Sequence, residues 1–175
     1  TEALWASEKL GLHRIVSEQP PYNLLDRRIE RELIPMAQSY GIGLIPWSPL
    51  AGGLLTGKYK RNDMSAEGRW QGGKQGPAGR HPTDEVFDVI EKLEELAKAK
   101  DCSPSQLALA WAMHQPGITS PIIGPRTPEQ LEDNLGAMDV EVTDEDREAL
   151  DAVANPGEFT VRYYEANFGP HPHRV

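Results

Sequence analysis

The sequence predicts an α/β fold built on a parallel sheet, and two observations carry that prediction. Short apolar stretches flanked by Gly or Pro, at 13–19, 41–47 and 117–124, have the length and composition of strands. They alternate with segments of helical periodicity, the pattern of parallel strands joined by helical crossovers. A parallel sheet buried on both faces rarely stops at three strands. The sheet is therefore expected to continue outside these 175 residues, or to contain a strand that the pattern hides. The chain also opens inside a helical pattern and without Met, so a fragment is the expectation.

Residues 2–9 have the amphipathic pattern of the end of a helix. After the first strand, Ile29, Leu33, Met36, Ala37 and Tyr40 share one helical face, and Pro35 should restart or kink that helix. Residues 60–82 show little periodicity and many Gly, Pro and charged residues, an uncommon length of irregular chain that often serves function. Thr83 then starts a helix with the stripe Val86, Ile90, Leu93 and Ala97. Ser103 followed by Pro104 is an N-cap with proline at the first helical position, and Thr127-Pro128 repeats the device after the third strand. Thr143 with Asp146 forms a capping box for a last helix with Leu150 and Val153 on its apolar face. The tail, 155–175, is irregular but carries four aromatics and is expected to dock.

Composition excludes several classes. Acidic residues outnumber basic ones, 27 to 18, for a formal charge of −9, which disfavours nucleic acid as a partner. Cys102 is the single cysteine, so neither an intramolecular disulfide nor a thiolate zinc cluster forms. The histidines of "HPH" lack the context of a metal site, and no metal is expected. No apolar run reaches the ~20 residues that span a bilayer. A soluble, cytoplasmic protein is the expectation.

"AGGLLTGKY" (51–59) imitates a phosphate-binding P-loop, with Gly52, Gly57 and Lys58 correctly spaced. Tyr59, however, stands where a small hydroxyl must ligate magnesium, and Pro46 to Pro49 separate the loop from its strand. The triphosphatase reading fails. The glycines still ask for a backbone that something approaches closely.

"SEQPPYNLLDR" (17–27), "WSPLAGGLLTGKY" (47–59) and "SPIIGPRTPEQLEDNLGAM" (120–138) resemble the last strand–loop segments of the aldo-keto reductase family, in order and at suitable spacing. The likeness is greatest to bacterial members and to potassium-channel β-subunits. It covers nearly the whole chain, residues 60–82 and the tail matching least. It implies a (β/α)8 TIM barrel of which residues 1–175 are the C-terminal part, supplying strands six, seven and eight. Such barrels need about 250 residues, so the missing N-terminal half is an expected partner, and an oligomer stays open.

The resemblance implies an NADP(H) site. Trp47 lies against the nicotinamide, whose carboxamide Gln19 hydrogen-bonds. Ser48, Leu50 and Gly53 meet the pyrophosphate, and Lys58 and Arg69 clamp it. Gly124 opens the last motif. Arg126, before a helix N-terminus, takes the 2′-phosphate. Gln130 and Asn134 reach the adenine and ribose, with Asp133 beside them. The alternatives are a core Trp47, a solvated Lys58 and an ordinary capped helix after Thr127. The sequence departs from the family near Pro125 and at Asp133, where many members carry Ser or Ala and Glu.

The family's catalytic Tyr, Lys, His and Asp come from earlier strands, and no catalytic residue is assigned on this chain. Two functions follow from the resemblance. One is an NADP(H)-dependent reductase of aldehydes or ketones, with a small carbonyl substrate. The other is a non-catalytic NADP(H)-binding regulatory protein like the channel β-subunits.

Overall fold

In the computed structural model, which describes residues 1–73 and 82–161, the regular part of the sheet is short. β1 (Ser17–Glu18) and β2 (Gly43–Leu44) pair in parallel, Ser17 opposite Gly43. Ile118 joins on the far side of β2 through a parallel bridge to Leu44. The expected spans 13–19, 41–47 and 117–124 are thus corrected to two-residue strands and a bridge. Proline explains much of the difference. Pro20, Pro21, Pro46 and Pro121 carry no N–H, so the ladder cannot run unbroken through them. Hydrogen bonds nonetheless follow the predicted alignment. The Gly43 and Ile45 amides donate to Val16 and Glu18 carbonyls at 2.9 and 3.0 Å, and the Thr119 and Ile122 amides donate to Leu44 and Pro46 at 2.8 and 2.7 Å.

The helices follow their start signals. α1 (Glu2–Leu10) ends at Gly11, in the left-handed region that glycine adopts without penalty. α2 (Leu33–Tyr40) begins two residues before Pro35, so the proline falls in the first turn, where no helical N–H is needed. The stripe predicted from Ile29 onward is corrected. Ile29 lies in a separate 3-10 turn, Arg28–Glu30, Ile34 is buried, and Tyr40 is exposed.

α3 (Asp84–Ala99) buries Val86, Ile90, Leu93 and Ala97 as expected, and adds Phe87 and Val89. α4 (Pro104–Met113) packs against α3 on one side and α5 (Pro128–Leu135) on another, and its residues 107–112 are all buried. Three of those six are alanines, which let neighbouring elements approach the helix closely. α6 (Asp144–Asp151) closes against α3.

A buried cation ties the segment after β1 to the end of α6. The Arg27 guanidinium donates to Glu30 at 2.8 Å, to Asp151 and to the Ala154 carbonyl, and lies over the Trp111 ring. The Tyr22 hydroxyl donates to the same Glu30 at 2.6 Å, and its ring stacks on Trp111 with centroids 5.3 Å apart. Burial, with the Glu30 carboxylate beside it, pushes the Tyr22 phenol far above its ordinary range. The tail docks as far as it is described. The Thr160 and Val161 amides donate to the Leu25 carbonyl at 2.9 and 3.2 Å, and Val161 is buried. Its other aromatics, Tyr163, Tyr164 and Phe168, lie outside the described residues.

The opposite flank is uncovered among the described residues. Trp5 and Val16 are 62% and 68% exposed, and Leu10, Leu12 and Ile15 are exposed beside them. No helix is long and apolar enough to cross a membrane among the described residues.

Candidate functional site

The chain leaving β2 turns sharply under backbone strain. Ser48 and Ala51 hold positive φ (57° and 50°), which non-glycine residues adopt at a cost of roughly 1–3 kcal/mol. Gly52, Gly53 and Gly57 take the remaining left-handed positions at no such cost. Asn23, fully buried, holds the turn. Its side-chain amide donates to the Ser48 carbonyl at 3.0 Å, and its own oxygen accepts the Leu25 amide at 2.9 Å.

Lys58 lies against Gly53. A Cβ there would stand 3.6 Å from Lys58 Cε, so the lysine stem runs over the glycine. Lys58 Nζ donates to the Glu67 carbonyl at 2.9 Å, and the Trp70 amide donates to Tyr59 Oη at 3.1 Å. These bonds fold 58–70 back on itself and bring Arg69 towards the same face. Gly68 permits the fold, because a Cβ there would strike Tyr59 Oη at 2.5 Å. Arg61 fixes the loop to α3 through Asp84, Asp88 and Glu91.

The N-terminus of α5 faces this turn. Thr127 Oγ1 accepts the Gln130 amide at 3.3 Å, and Gln130 Oε1 accepts the Arg126 amide at 2.8 Å. The side-chain oxygen of Gln130 is therefore engaged locally, which leaves its NH₂ to reach outward. A Cβ on Gly124 would meet nothing within 4 Å, so no protein packing requires glycine there.

Between turn and helix lies a groove of about 620 Å³. Trp47, Ser48, Leu50, Gly53, Lys58, Arg69, Gly124, Arg126, Gln130, Asp133 and Asn134 all line it. Gln19 does not; it is exposed at the end of the β1 segment. The lining also includes Thr56 and Ser105, which the sequence did not single out. Three cationic side chains, a flat indole face and small residues suit an elongated anionic ligand with ring systems, and a phosphate-bearing dinucleotide fits that donor set. Neither Tyr nor His lines the groove among the described residues; its titratable side chains are Lys58, Arg69, Arg126 and Asp133.

Two other hollows are weaker candidates. One, of about 780 Å³ between α1 and Tyr40, is lined by Leu4, Trp5 and Leu12 together with polar residues such as Glu2, Glu8 and Arg14. The other, about 430 Å³, contains Cys102, whose thiol burial pushes above its ordinary range. No cluster of metal-ligating side chains occurs among the described residues.

The Aldo/keto reductase family model matches residues 2–155. A "Probable voltage-gated potassium channel subunit beta" of Oryza sativa subsp. japonica is 37% identical over 142 residues, covering 80% of this chain and 43% of the relative. An "Uncharacterized oxidoreductase" of Bacillus subtilis (strain 168) is 36% identical over 160 residues, 90% of this chain and 46% of the relative. A "Probable aldo-keto reductase 1" of Glycine max is 32% identical over 161 residues, 88% and 44%. The chain thus spans less than half the length of these curated relatives.

Proposed function

Because the chain belongs to the aldo/keto reductase family, we propose that it forms the NADP(H)-holding half of an oxidoreductase that reduces aldehydes or ketones to alcohols. In this reading the short parallel segments are strands six to eight of a (β/α)8 barrel. The upstream half covers the exposed flank of Trp5, Ile15 and Val16. One observation carries the reading: the strained turn after β2 and the capped start of α5 face each other across one groove with Lys58, Arg69 and Arg126 around it. A cytoplasmic location belongs to the same proposal and is supported by the single cysteine.

Bound there, the cofactor supplies hydride to a small carbonyl substrate. Trp47 gives the nicotinamide a flat wall, and the backbone from Ser48 to Gly53 comes close to the pyrophosphate because its residues are small or turned. Lys58 and Arg69 neutralise that charge. Arg126 pairs with the 2′-phosphate, and Gln130, Asp133 and Asn134 serve the adenosine. The proton for the alcohol oxygen comes from the upstream half, through the Tyr, Lys, His and Asp that the family resemblance implies.

Arg126→Ala in the full-length protein tests the cofactor. A hydrogen bond to a charged group contributes roughly 1.5–3 kcal/mol, about ten- to a hundredfold in affinity. The variant is expected to lose that factor for NADPH and almost nothing for NADH, in titrations at one fixed salt concentration. Equal losses for both would make Arg126 a support of the fold.

The likeness to a channel β-subunit favours a second reading, a regulatory protein that keeps the cofactor groove as a sensor. The upstream sequence separates the two, since an enzyme needs the Tyr there and a sensor does not.

A further inference from the structure

The 58–70 loop joins the groove to α3, and its ends and its middle are held by different forces. Lys58 and Arg69, near the two ends, line the groove, whereas Arg61 lies outside it. Tyr59 and Trp70 anchor the ends by burial, and the Trp70 amide donates to the Tyr59 hydroxyl oxygen at 3.1 Å. Between them the chain turns at the surface, where Lys60 and Asp63 exchange backbone hydrogen bonds at 2.9 and 3.0 Å.

Charge ties this turn to α3. The guanidinium of Arg61 donates through Nη1 to Asp84 at 2.8 Å, through Nη2 to Asp88 at 2.6 Å, and through Nε to Glu91 at 3.1 Å. The three carboxylates recur at helical spacing and share one face of α3, so without a cation between them they repel. Lys60 pairs with Glu94, one turn further along the same helix. The Arg61 guanidinium also lies over the Phe87 ring, 5.7 Å from its centroid. A lone exposed ion pair contributes little, but a planar fork that engages three carboxylates fixes a direction that an ammonium cannot.

Lys58 depends on the same turn. Its Nζ donates to the Glu67 carbonyl at 2.9 Å. A Cβ on Gly68 would stand 2.6 Å from that nitrogen, and one on Gly53 3.8 Å from it. The ammonium is therefore held between Gly53 and the returning limb of the loop, which Arg69 continues directly.

We infer that Arg61 is a positioning residue: its tie to Asp84, Asp88 and Glu91 holds the turn, and through it Lys58 and Arg69, at the groove, and so sets how fast a bound dinucleotide leaves. The inference rests on the cofactor reading proposed above. Arg61 acts only through the loop, so its removal should alter release and leave the cofactor preference unchanged.

The test follows NADPH release from the full-length protein by stopped-flow fluorescence. Arg61→Met keeps the contact with Phe87 and removes the charge. It should speed release roughly three- to tenfold at low salt. The ratio to wild type should fall towards one near 1 M salt, where charges are screened beyond about 3 Å. A triple variant, Asp84→Asn with Asp88→Asn and Glu91→Gln, should speed release likewise, and adding Arg61→Met to it should change nothing more. It reads the same tie from the α3 side should Arg61→Met fail to fold. Unchanged release, a ratio indifferent to salt, or effects that simply add would overturn the inference, while NADPH binding by the wild type left the cofactor reading standing. Wild-type protein that bound no NADPH would sink both.

Discussion

Trp47 and Asn23 differ in how far the sequence reveals them. Trp47 stands in a motif whose family resemblance implied its role, and the structure puts it, partly buried, on the groove wall. Asn23 gave no comparable signal. Its work is to hold the Ser48 carbonyl, 25 residues later in the chain, and nothing local records that distant bond. Ser105 was hidden differently, as the second residue of a capped helix, a position usually solvated. It is nonetheless buried, in a helix that packs against both α3 and α5. At this scale we predict that Trp47→Ala weakens NADPH binding in the full-length protein. An aromatic contact of this kind is worth about 0.5–1.5 kcal/mol beyond burial. The variant should also quench less protein fluorescence on titration. Unchanged affinity and quenching would mean that Trp47 serves packing alone.

Among the elements, helices were legible because their start signals are local and strands were not because their partners are distant. Thr143 makes the predicted capping box with Asp146, and Ser103 makes the predicted N-cap and, with Gln106, a box that the sequence reading did not single out. The strands shrank where prolines interrupt the ladder, and no periodicity argument weighs an N–H that is absent. The box of α6 also makes a pH prediction. Burial opposes ionisation of Asp146, but the Lys100 ammonium at 2.7 Å and the Thr143 amide at 2.8 Å outweigh it and hold the carboxyl below its usual range. A carboxyl depressed in the folded state contributes stability that is present above its unfolded pKa, near ~3.9, and is lost as pH falls through the folded value. Asp146→Asn should therefore lower the thermal midpoint at pH 7 by several degrees, from a loss of about 0.5–2 kcal/mol. The difference from wild type should shrink as pH falls below about 4. A difference that stayed constant over that range would remove the charge from the explanation.

For the whole molecule, the parallel arrangement was legible but its closure was not. Alternation and glycine–proline punctuation order the segments at 17, 43 and 118, whereas nothing pairs with the outer side of β1 among the described residues. On that side Trp5, Leu10, Leu12, Ile15 and Val16 are exposed together. An uncovered strand edge beside an apolar surface recruits other chains, and a parallel sheet is normally buried on both faces. Expressed by itself, the chain should therefore elute as aggregates or unfold without a cooperative transition, and it should not turn over 4-nitrobenzaldehyde with NADPH. Co-expression with the upstream half is expected to restore a cooperative thermal transition first, by covering the flank. Turnover should follow only if that half also brings the Tyr that the family resemblance implies, since neither Tyr nor His lines the groove among the described residues. The two readouts separate folding from chemistry. A restored transition without turnover would leave the groove as a sensor, and a cooperative monomer with turnover from the 175-residue chain alone would refute the half-barrel reading.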